Sequence, residues 1–295
     1  MAALGLNDSG RSGDTIAGPP LEPWGELWAI DGAGCVLNPC DRNHLQGPWG
    51  NLVVAWVAAC AVALGDRAVG FYVRGSIPRG RAIAKVSDLD GLVMVTDGER
   101  PDDERWYEAL DRRLRDRYPF CRAIKTSLIT ADDLINPAKT WGALLKSQGL
   151  WVAGNHLTGQ DAIATLPPVR PGPALWLHRP TLHRDWQHTA GRLRHPISPT
   201  QVRTKGAWLN RRIVRTGFEL VMAQDNAYTR DLYPCYRAFA RHYPDRAASM
   251  ALAARLAIAP SAHRAGLLAF WQEFLPWLLE RLDQDTAPSP SKKPS

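Results

Sequence analysis

Hydrophobic residues in the first half of the chain are grouped in a way that predicts one buried helix followed by several strands. The run Leu52–Leu64 is apolar nearly all round, which is typical of a helix buried on every side. Gly65 follows this run directly and is expected to end the helix, which begins at Pro48 or Gly50. Strands are predicted where β-branched and aromatic residues cluster, over Ala68–Val73, Asp88–Thr96, Arg122–Thr130 and the short run 149–157.

Helical periodicity dominates the second half of the chain. From Gln201 onward apolar residues recur at helical spacing, at Val202, Leu209, Ile213 and Leu220. Three more helices are predicted, over Leu232–Phe239, Ala247–Ile258 and His263–Leu282. Because only short turns join these segments, they are expected to form a bundle. Two helices are also predicted in the first half, one opening at residues 101–104 and one at residues 131–134.

These elements predict an α+β protein with two domains. Residues 23–165 form a mixed sheet with flanking helices, and residues 200–284 form an all-α helical bundle. Between them, residues 166–199 are rich in proline and are interpreted as a linker. Residues 1–22 are expected to be a flexible lead and residues 285–295 a disordered tail, because both are rich in small, polar and proline residues.

Composition narrows the class of protein. Of the 295 residues, 45% are hydrophobic and 22% charged, which excludes wholesale disorder and a collagen-like chain. The longest apolar run is shorter than the roughly 20 residues that span a bilayer, so no membrane partner is expected. An odd number of cysteines without a close pair, and a start without a secretory signal, predict a cytoplasmic protein.

Charge is distributed unevenly along the chain. The first 150 residues carry a formal charge of −2 and the remaining residues carry +9. A basic C-terminal half favours an anionic partner such as a nucleoside triphosphate or a nucleic acid, although a solvated basic surface gives the same pattern. No RNA-binding motif accompanies the basic residues.

Candidate chemistry is concentrated in the segment 71–95, which contains the pattern GS-x3-G-x6-SDLD between two apolar strands. Asp88 and Asp90 stand two residues apart, so on a strand their side chains project from one face. Paired carboxylates are hard oxygen ligands of the kind that Mg²⁺ prefers, and without a cation they repel each other. These two residues are therefore the predicted metal ligands and catalytic residues.

The turn before the acidic pair is predicted to bind phosphate. Gly75 lets backbone N–H groups approach an anion without a Cβ clash, and Ser76 adds a hydroxyl. Gly80 is expected to end the turn, and Ser87 directly precedes Asp88. A triphosphate-binding site next to a metal-binding site is what nucleotidyl transfer needs. In that reaction a hydroxyl attacks the α-phosphate and pyrophosphate leaves.

At these residues the sequence resembles the DNA polymerase beta nucleotidyltransferase superfamily, and within it the small bacterial aminoglycoside adenylyltransferases. The resemblance is strong over residues 50–135 and implies a nucleotidyltransferase-type mixed sheet with a two-metal site. It implies that Gly75, Ser76 and Ser87 bind the nucleotide and that Asp88 and Asp90 bind Mg²⁺. ATP is the implied donor, and the acceptor is expected to be held between the two domains.

The resemblance breaks at the third strand, where the family carries a further carboxylate that often acts as the base. Lys125 stands at that position, and no acidic residue occurs between Asp116 and Asp132. Three readings follow: transfer is lost and only nucleotide binding survives, the metal-bound acceptor loses its proton without a base, or a carboxylate from elsewhere supplies the base. Glu219 is the predicted substitute base. It is spaced by seven from Arg212, which is itself seven from Lys205, so the three share one helix face on which the two cations would contact phosphates. A solvated charged face is the alternative interpretation.

Three functions follow from this reading. The first is an adenylyltransferase-like enzyme that moves AMP from ATP to a hydroxyl of a small molecule. The second is transfer to a protein side chain or an RNA end, which the basic second half permits. The third is a nucleotide-binding module without catalysis, because Lys125 replaces the expected acid and removes a possible base.

Overall fold

The computed structural model describes residues 20–96, 105–136, 139–155 and 160–286. Its strands are β1 (Ala68–Arg74), β2 (Leu89–Val95), β3 (Ile124–Ile129) and β4 (Gly149–Gly154). Its helices are α1 (Gly47–Leu64), α2 (Arg105–Arg117), α3 (Ala131–Ile135), α4 (Trp141–Gln148), α5 (Gln160–Thr165), α6 (Leu182–Arg194), α7 (Pro199–Glu219), α8 (Leu232–His242), α9 (Ala247–Ile258) and α10 (Arg264–Thr286). The predicted opening of a helix at 101–104, and most of the predicted lead and tail, lie outside the described residues.

The four strands form one mixed sheet in the order β3-β2-β1-β4. β1 pairs antiparallel with both β2 and β4, whereas β2 and β3 run parallel. The parallel pair needs a crossover, and α2 supplies it. The predicted fold class, a mixed sheet with flanking helices followed by a helical region, is confirmed.

Each face of the sheet carries its own hydrophobic cluster. On one face, β-strand residues such as Phe71 and Val93 pack with Trp56 of α1 and Leu110 of α2. On the other face, the cluster includes Tyr72, Leu92 and Met94 together with Leu145 of α4. Successive strand residues alternate between faces, so a residue two positions away from Leu92 or from Tyr72 on the same strand also lies on the second face. Asp90 and Arg74 are therefore on that face.

Helix α1 differs from its prediction. It begins and ends as expected, with Gly65 at a φ of +58° directly after it. It is not buried on every side, however, because Val54 is 70% and Val62 85% exposed. The sheet covers only the face that carries Leu52, Trp56 and Cys60. Among the described residues this is also the one helix whose length and composition would suit a membrane span, a property that apolar core helices share.

The helical elements from α6 onward surround α7. Small residues on α7 let its neighbours approach, since Gly206 lies against Leu267 of α10 and Gly217 against Met250 of α9. The buried Trp271 indole N–H donates to Asn210 Oδ1 at 3.2 Å. The segment 166–199, interpreted as a linker, contains α6, which packs on α7. By internal contacts, the described residues of 20–26, 178–221 and 229–286 form one compact unit, and those of 27–177 with 222–228 form the other.

We expect Gly91→Ala to destabilise the sheet unit by about 1–3 kcal/mol, because an added methyl group overpacks a filled core. A Cβ at Gly91 would lie 2.2 Å from Trp56 Cζ2, and the Trp56 ring is fully buried. Chemical denaturation measures the free energy of unfolding. Gly32→Ala is the matched control, since a Cβ there meets nothing within 4 Å. Equal stability of the two variants would contradict this description of the core.

Candidate functional site

The turn after β1 is held open by two glycines and anchored in the core. Gly75 and Gly80 have φ values of +87° and +67°, which other residues adopt only with strain. Between them, Ile77 is 2% exposed and belongs to the core cluster of α1. The Arg81 N–H donates to the Ser76 carbonyl at 2.9 Å and closes the turn. The predicted phosphate-binding turn is thus a fixed loop at the end of a central strand.

The two acidic residues lie at the start of β2, which runs between β1 and β3. Asp88 directly precedes the strand, and Asp90 is its second residue. The strand register pairs Asp90 with Arg74 of β1 on one side and with Lys125 of β3 on the other. Both cations come within 3.9 Å of Asp90 Oδ1. Asp90 therefore has a positive charge on each side across the sheet.

Asp88 is engaged more tightly than Asp90. Arg122 Nε and Nη2 donate to its two oxygens, each at 2.7 Å, in a two-pronged ion pair. Lys125 Nζ donates to Oδ2 at 2.5 Å. Burial raises the pKa of Asp88, but the hydrogen bonds from the two cations outweigh it and hold the pKa below the usual aspartate value. The Asp88 carboxylate is therefore ionised and fully partnered.

The acids and the turn lie side by side. Lys125 Nζ lies 2.5 Å from Asp88 Oδ2 and 3.9 Å from Asp90 Oδ1, so these two carboxylate oxygens are near each other. On the turn side, a Cβ added to Gly75 would lie 3.0 Å from Asp90 Oδ2. Glycine is favoured there because a φ of +87° strains other residues and a Cβ would crowd that oxygen. The carboxylate pair thus stands directly against the turn.

Ser87, a predicted nucleotide contact, has a structural task in the loop before β2. Its hydroxyl accepts the Ile83 N–H at 2.9 Å, and its carbonyl accepts the Arg122 N–H at 3.0 Å. These bonds tie the loop to the start of β3 and so place Arg122 opposite Asp88. Its role toward a nucleotide stays a prediction.

The other predicted residues belong to the helical unit. Lys205, Arg212 and Glu219 all lie on α7, as their spacing predicted. Arg212 Nε pairs with Asp185 at 2.6 Å, and its guanidinium lies over the Trp208 ring. Glu219 is buried, and its carboxylate accepts the N–H groups of His178 and Arg179 at 3.1 and 2.8 Å. The alternative of a solvated charged face does not describe Glu219, which these contacts hold inside the unit.

Sequence reasoning missed two cations of the site, Arg74 and Arg122. Arg74 could have been found from strand pairing, since it is the last residue of β1 and the antiparallel pairing of β1 with β2 sets it opposite Asp90. Arg122 precedes β3 by two residues, and only the bonds between two loops bring it to Asp88. No local pattern in the sequence reports that approach.

In the part of the chain that the structure describes, the acid pair is not joined by a third acidic, histidine or cysteine ligand. Among the described residues, no group of three or more His, Cys, Asp or Glu side chains could hold a metal ion. The position that would supply the third carboxylate holds Lys125. What the arrangement offers chemically is a pair of carboxylates surrounded by cations, next to a glycine turn.

Comparison with known proteins leaves the family open. No family model matches the chain, and no curated protein matches it. Among solved structures, it is similar to a spectinomycin adenyltransferase, AAD(9), from Enterococcus faecialis, determined with ATP and spectinomycin. That similarity covers 79% of this chain and 99% of the other, at 16% sequence identity and a TM-score of 0.45. A likeness of this size assigns neither a family nor an activity.

We expect Asp88→Asn to lower the free energy of unfolding at neutral pH by about 1.5 kcal/mol, the low end for bonds to charged groups, because both cationic partners are half exposed. The pKa of Asp88 is lowered in the folded chain, so its contribution is complete above the unfolded pKa and is lost as the pH falls through the folded pKa. Urea unfolding of both proteins from neutral to strongly acidic pH measures this. A stability difference that persists in strong acid would show that the ion pairs are not its cause.

We expect Glu219→Gln to lower the free energy of unfolding by about 1–3 kcal/mol, because one of the two oxygens that accept backbone N–H groups is replaced by a donor. Thermal or urea unfolding measures the effect. The predicted role of Glu219 as a base has a second consequence. Under conditions where the variant is fully folded, it should still release less pyrophosphate than the wild type. Unchanged release would make the base role wrong while leaving the structural role intact.

Proposed function

We propose that the chain binds a nucleoside triphosphate, with ATP as the expected donor, and moves AMP to a hydroxyl of a small molecule. The observation that carries this proposal is the approach of Asp90 to the turn, where a Cβ added to Gly75 would lie 3.0 Å from Asp90 Oδ2. A triphosphate on the Gly75–Ser76 turn would then have its reacting phosphate beside the acid pair. That juxtaposition is what nucleotidyl transfer requires.

Phosphate binding at the turn has support from geometry and charge. Gly75 has the positive φ that occurs in the backbone concavities that bind anions. Arg74, directly before the turn, and Lys125 on β3, the strand on the other side of β2, add positive charge on the same sheet face. Ser76 contributes a half-buried hydroxyl. These groups suit the oxygens of a polyphosphate.

The proposed transfer breaks one phosphorus–oxygen bond and forms another. The acceptor oxygen attacks the α-phosphorus, the bond to the β-phosphate oxygen breaks, and pyrophosphate leaves. The proton of the acceptor hydroxyl passes to a base, for which Glu219 is the proposed residue. Lys205 and Arg212 are proposed to contact phosphates. These three assignments rest on sequence spacing.

Magnesium is the predicted cofactor, and the donor set as built does not fit it. Mg²⁺ prefers several open oxygen ligands in near-octahedral geometry. Both oxygens of Asp88 are taken by Arg122 and Lys125, and Asp90 lies between two cations. An ion at this place would first have to displace the Lys125 ammonium group. No step of the proposed reaction is therefore assigned to the metal.

A second candidate function is nucleotide binding without transfer. The observation in its favour is the same set of bonds on Asp88, since a carboxylate held by two cations is not available to position a metal or take a proton. Binding and transfer are separable by measurement, because only transfer releases pyrophosphate.

We expect calorimetry to detect ATP binding to the full chain, and Gly75→Ala to weaken it by at least about tenfold, the loss that one charge-assisted contact represents. The substitution strains a φ of +87° and crowds Asp90 Oδ2. Gly65→Ala is the matched control, since its φ is also positive and a Cβ there meets nothing within 4 Å. If ATP does not bind to the folded wild type, or if both variants bind it equally, the proposed site is wrong.

The same proteins decide between the two candidates when labelled ATP is offered with sugars, aminoglycosides or other hydroxyl compounds. Transfer predicts pyrophosphate release that depends on the acceptor and on Asp90. Binding without release under every acceptor supports the module without catalysis. Release that survives Asp90→Asn would contradict the assignment of the acid pair to the reaction.

A further inference from the structure

We propose that the Lys125 ammonium group replaces a divalent cation at the acid pair, so that the chain binds a nucleoside triphosphate without Mg²⁺. The inference rests on the proposed function, because it concerns the same turn and the same carboxylates. It adds the identity of the cation, which is part of the polypeptide.

The strand register places this cation. β3 runs parallel to β2, with Lys125 opposite Asp90, and the lysine side chain projects from the face that carries the acids. Its Nζ lies 2.5 Å from Asp88 Oδ2 and 3.9 Å from Asp90 Oδ1. A single positive group between two carboxylates is the arrangement of a bridging metal ion. Here the backbone of a sheet holds that group.

The charges of the site are balanced without a metal. Asp88 and Asp90 are surrounded by three cations within 4 Å, at Arg74, Arg122 and Lys125. A bare carboxylate pair would repel a polyphosphate and would need a divalent ion to bind it. With three cations against two anions, the cluster carries a net positive charge. It attracts a triphosphate as it stands.

The order of the groups relative to solvent favours the same conclusion. The Asp88 side chain is 7% exposed, whereas Lys125 is 58% and Arg122 46% exposed. An anion that arrives from solvent therefore meets the two cations before it meets the carboxylate. A divalent cation that arrives by the same route meets like charge, and both oxygens of Asp88 are already hydrogen-bonded to Arg122 and Lys125.

The test is ATP binding by calorimetry with Mg²⁺ and with a chelator, for the wild type and for Lys125→Glu. We expect chelation to leave the wild-type dissociation constant unchanged within about twofold, well under the tenfold that a lost charged contact produces. Lys125→Glu reverses one charge and supplies a third carboxylate. It should lose at least about tenfold in affinity without Mg²⁺ and regain it when the metal is added.

Arg113→Glu is the matched control, since it makes the same charge change at an exposed position of α2. It should bind ATP like the wild type in both conditions. If chelation weakens the wild type by more than about tenfold, or if Lys125→Glu behaves like the control, the inference is overturned. Absence of ATP binding in every condition instead overturns the proposed function.

A second measurement tests the inference even if the chain does not bind ATP. Titration of the nucleotide-free proteins with Mn²⁺, followed by its magnetic resonance signal, reports ion binding at the acids directly. We expect no binding at the acid pair of the wild type or of Arg113→Glu, and binding by Lys125→Glu that Asp88→Asn abolishes in the double variant. Wild-type binding of Mn²⁺ that is lost in Asp88→Asn overturns the inference, whatever ATP does.

Discussion

The pairing of β2 between β1 and β3 is the constraint on which the candidate site depends. Once Tyr72 pairs with Leu92 and Leu92 with Ser127, the residues two positions farther toward the same end of the sheet must meet on the same face. These are Arg74, which follows Tyr72, and Asp90 and Lys125, which precede Leu92 and Ser127. The buried apolar residues farther along the strands fix this register, since a slip by one residue would turn the core outward. Hydrophobic packing at one end of the sheet therefore sets the charges at the other.

The loops around the strand starts complete what the register begins. Ser87 and Cys121 lie in two loops joined by backbone bonds, and these bonds deliver the Arg122 guanidinium to Asp88. On the opposite side, Gly75 allows the turn to approach Asp90. The acid pair is thus enclosed laterally by cations and on one side by backbone. All of these contacts depend on the position of β2 in the sheet.

Sequence reasoning succeeded where the signal was periodic or local. The strand bounds, the end of α1 at Gly65 and the shared helix face of Lys205, Arg212 and Glu219 all follow from spacing along one element. It failed where several elements decide together. Nothing in the apolar run of α1 says that Val62 is left uncovered, and nothing in the proline-rich segment announces α6, whose packing on α7 supplies the stability that its composition lacks.

Part of the site was predictable for the same reason. The proximity of Gly75, Ser76, Asp88 and Asp90 follows from one hairpin-like pairing, and the lysine at position 125 was visible once the third strand was aligned. That this lysine bonds to Asp88, and that Arg122 joins it, depends on side-chain reach across a parallel pair. Periodicity carries no information on such reach.

The Lys125 side chain is 58% exposed and belongs to neither hydrophobic cluster of the sheet, so a different residue at this position leaves the apolar core unchanged. A lysine codon becomes a glutamate codon through one base change. A single substitution therefore separates two kinds of site on the same sheet. In one the cation is part of the polypeptide, and in the other the cation must be bound from the surrounding solution.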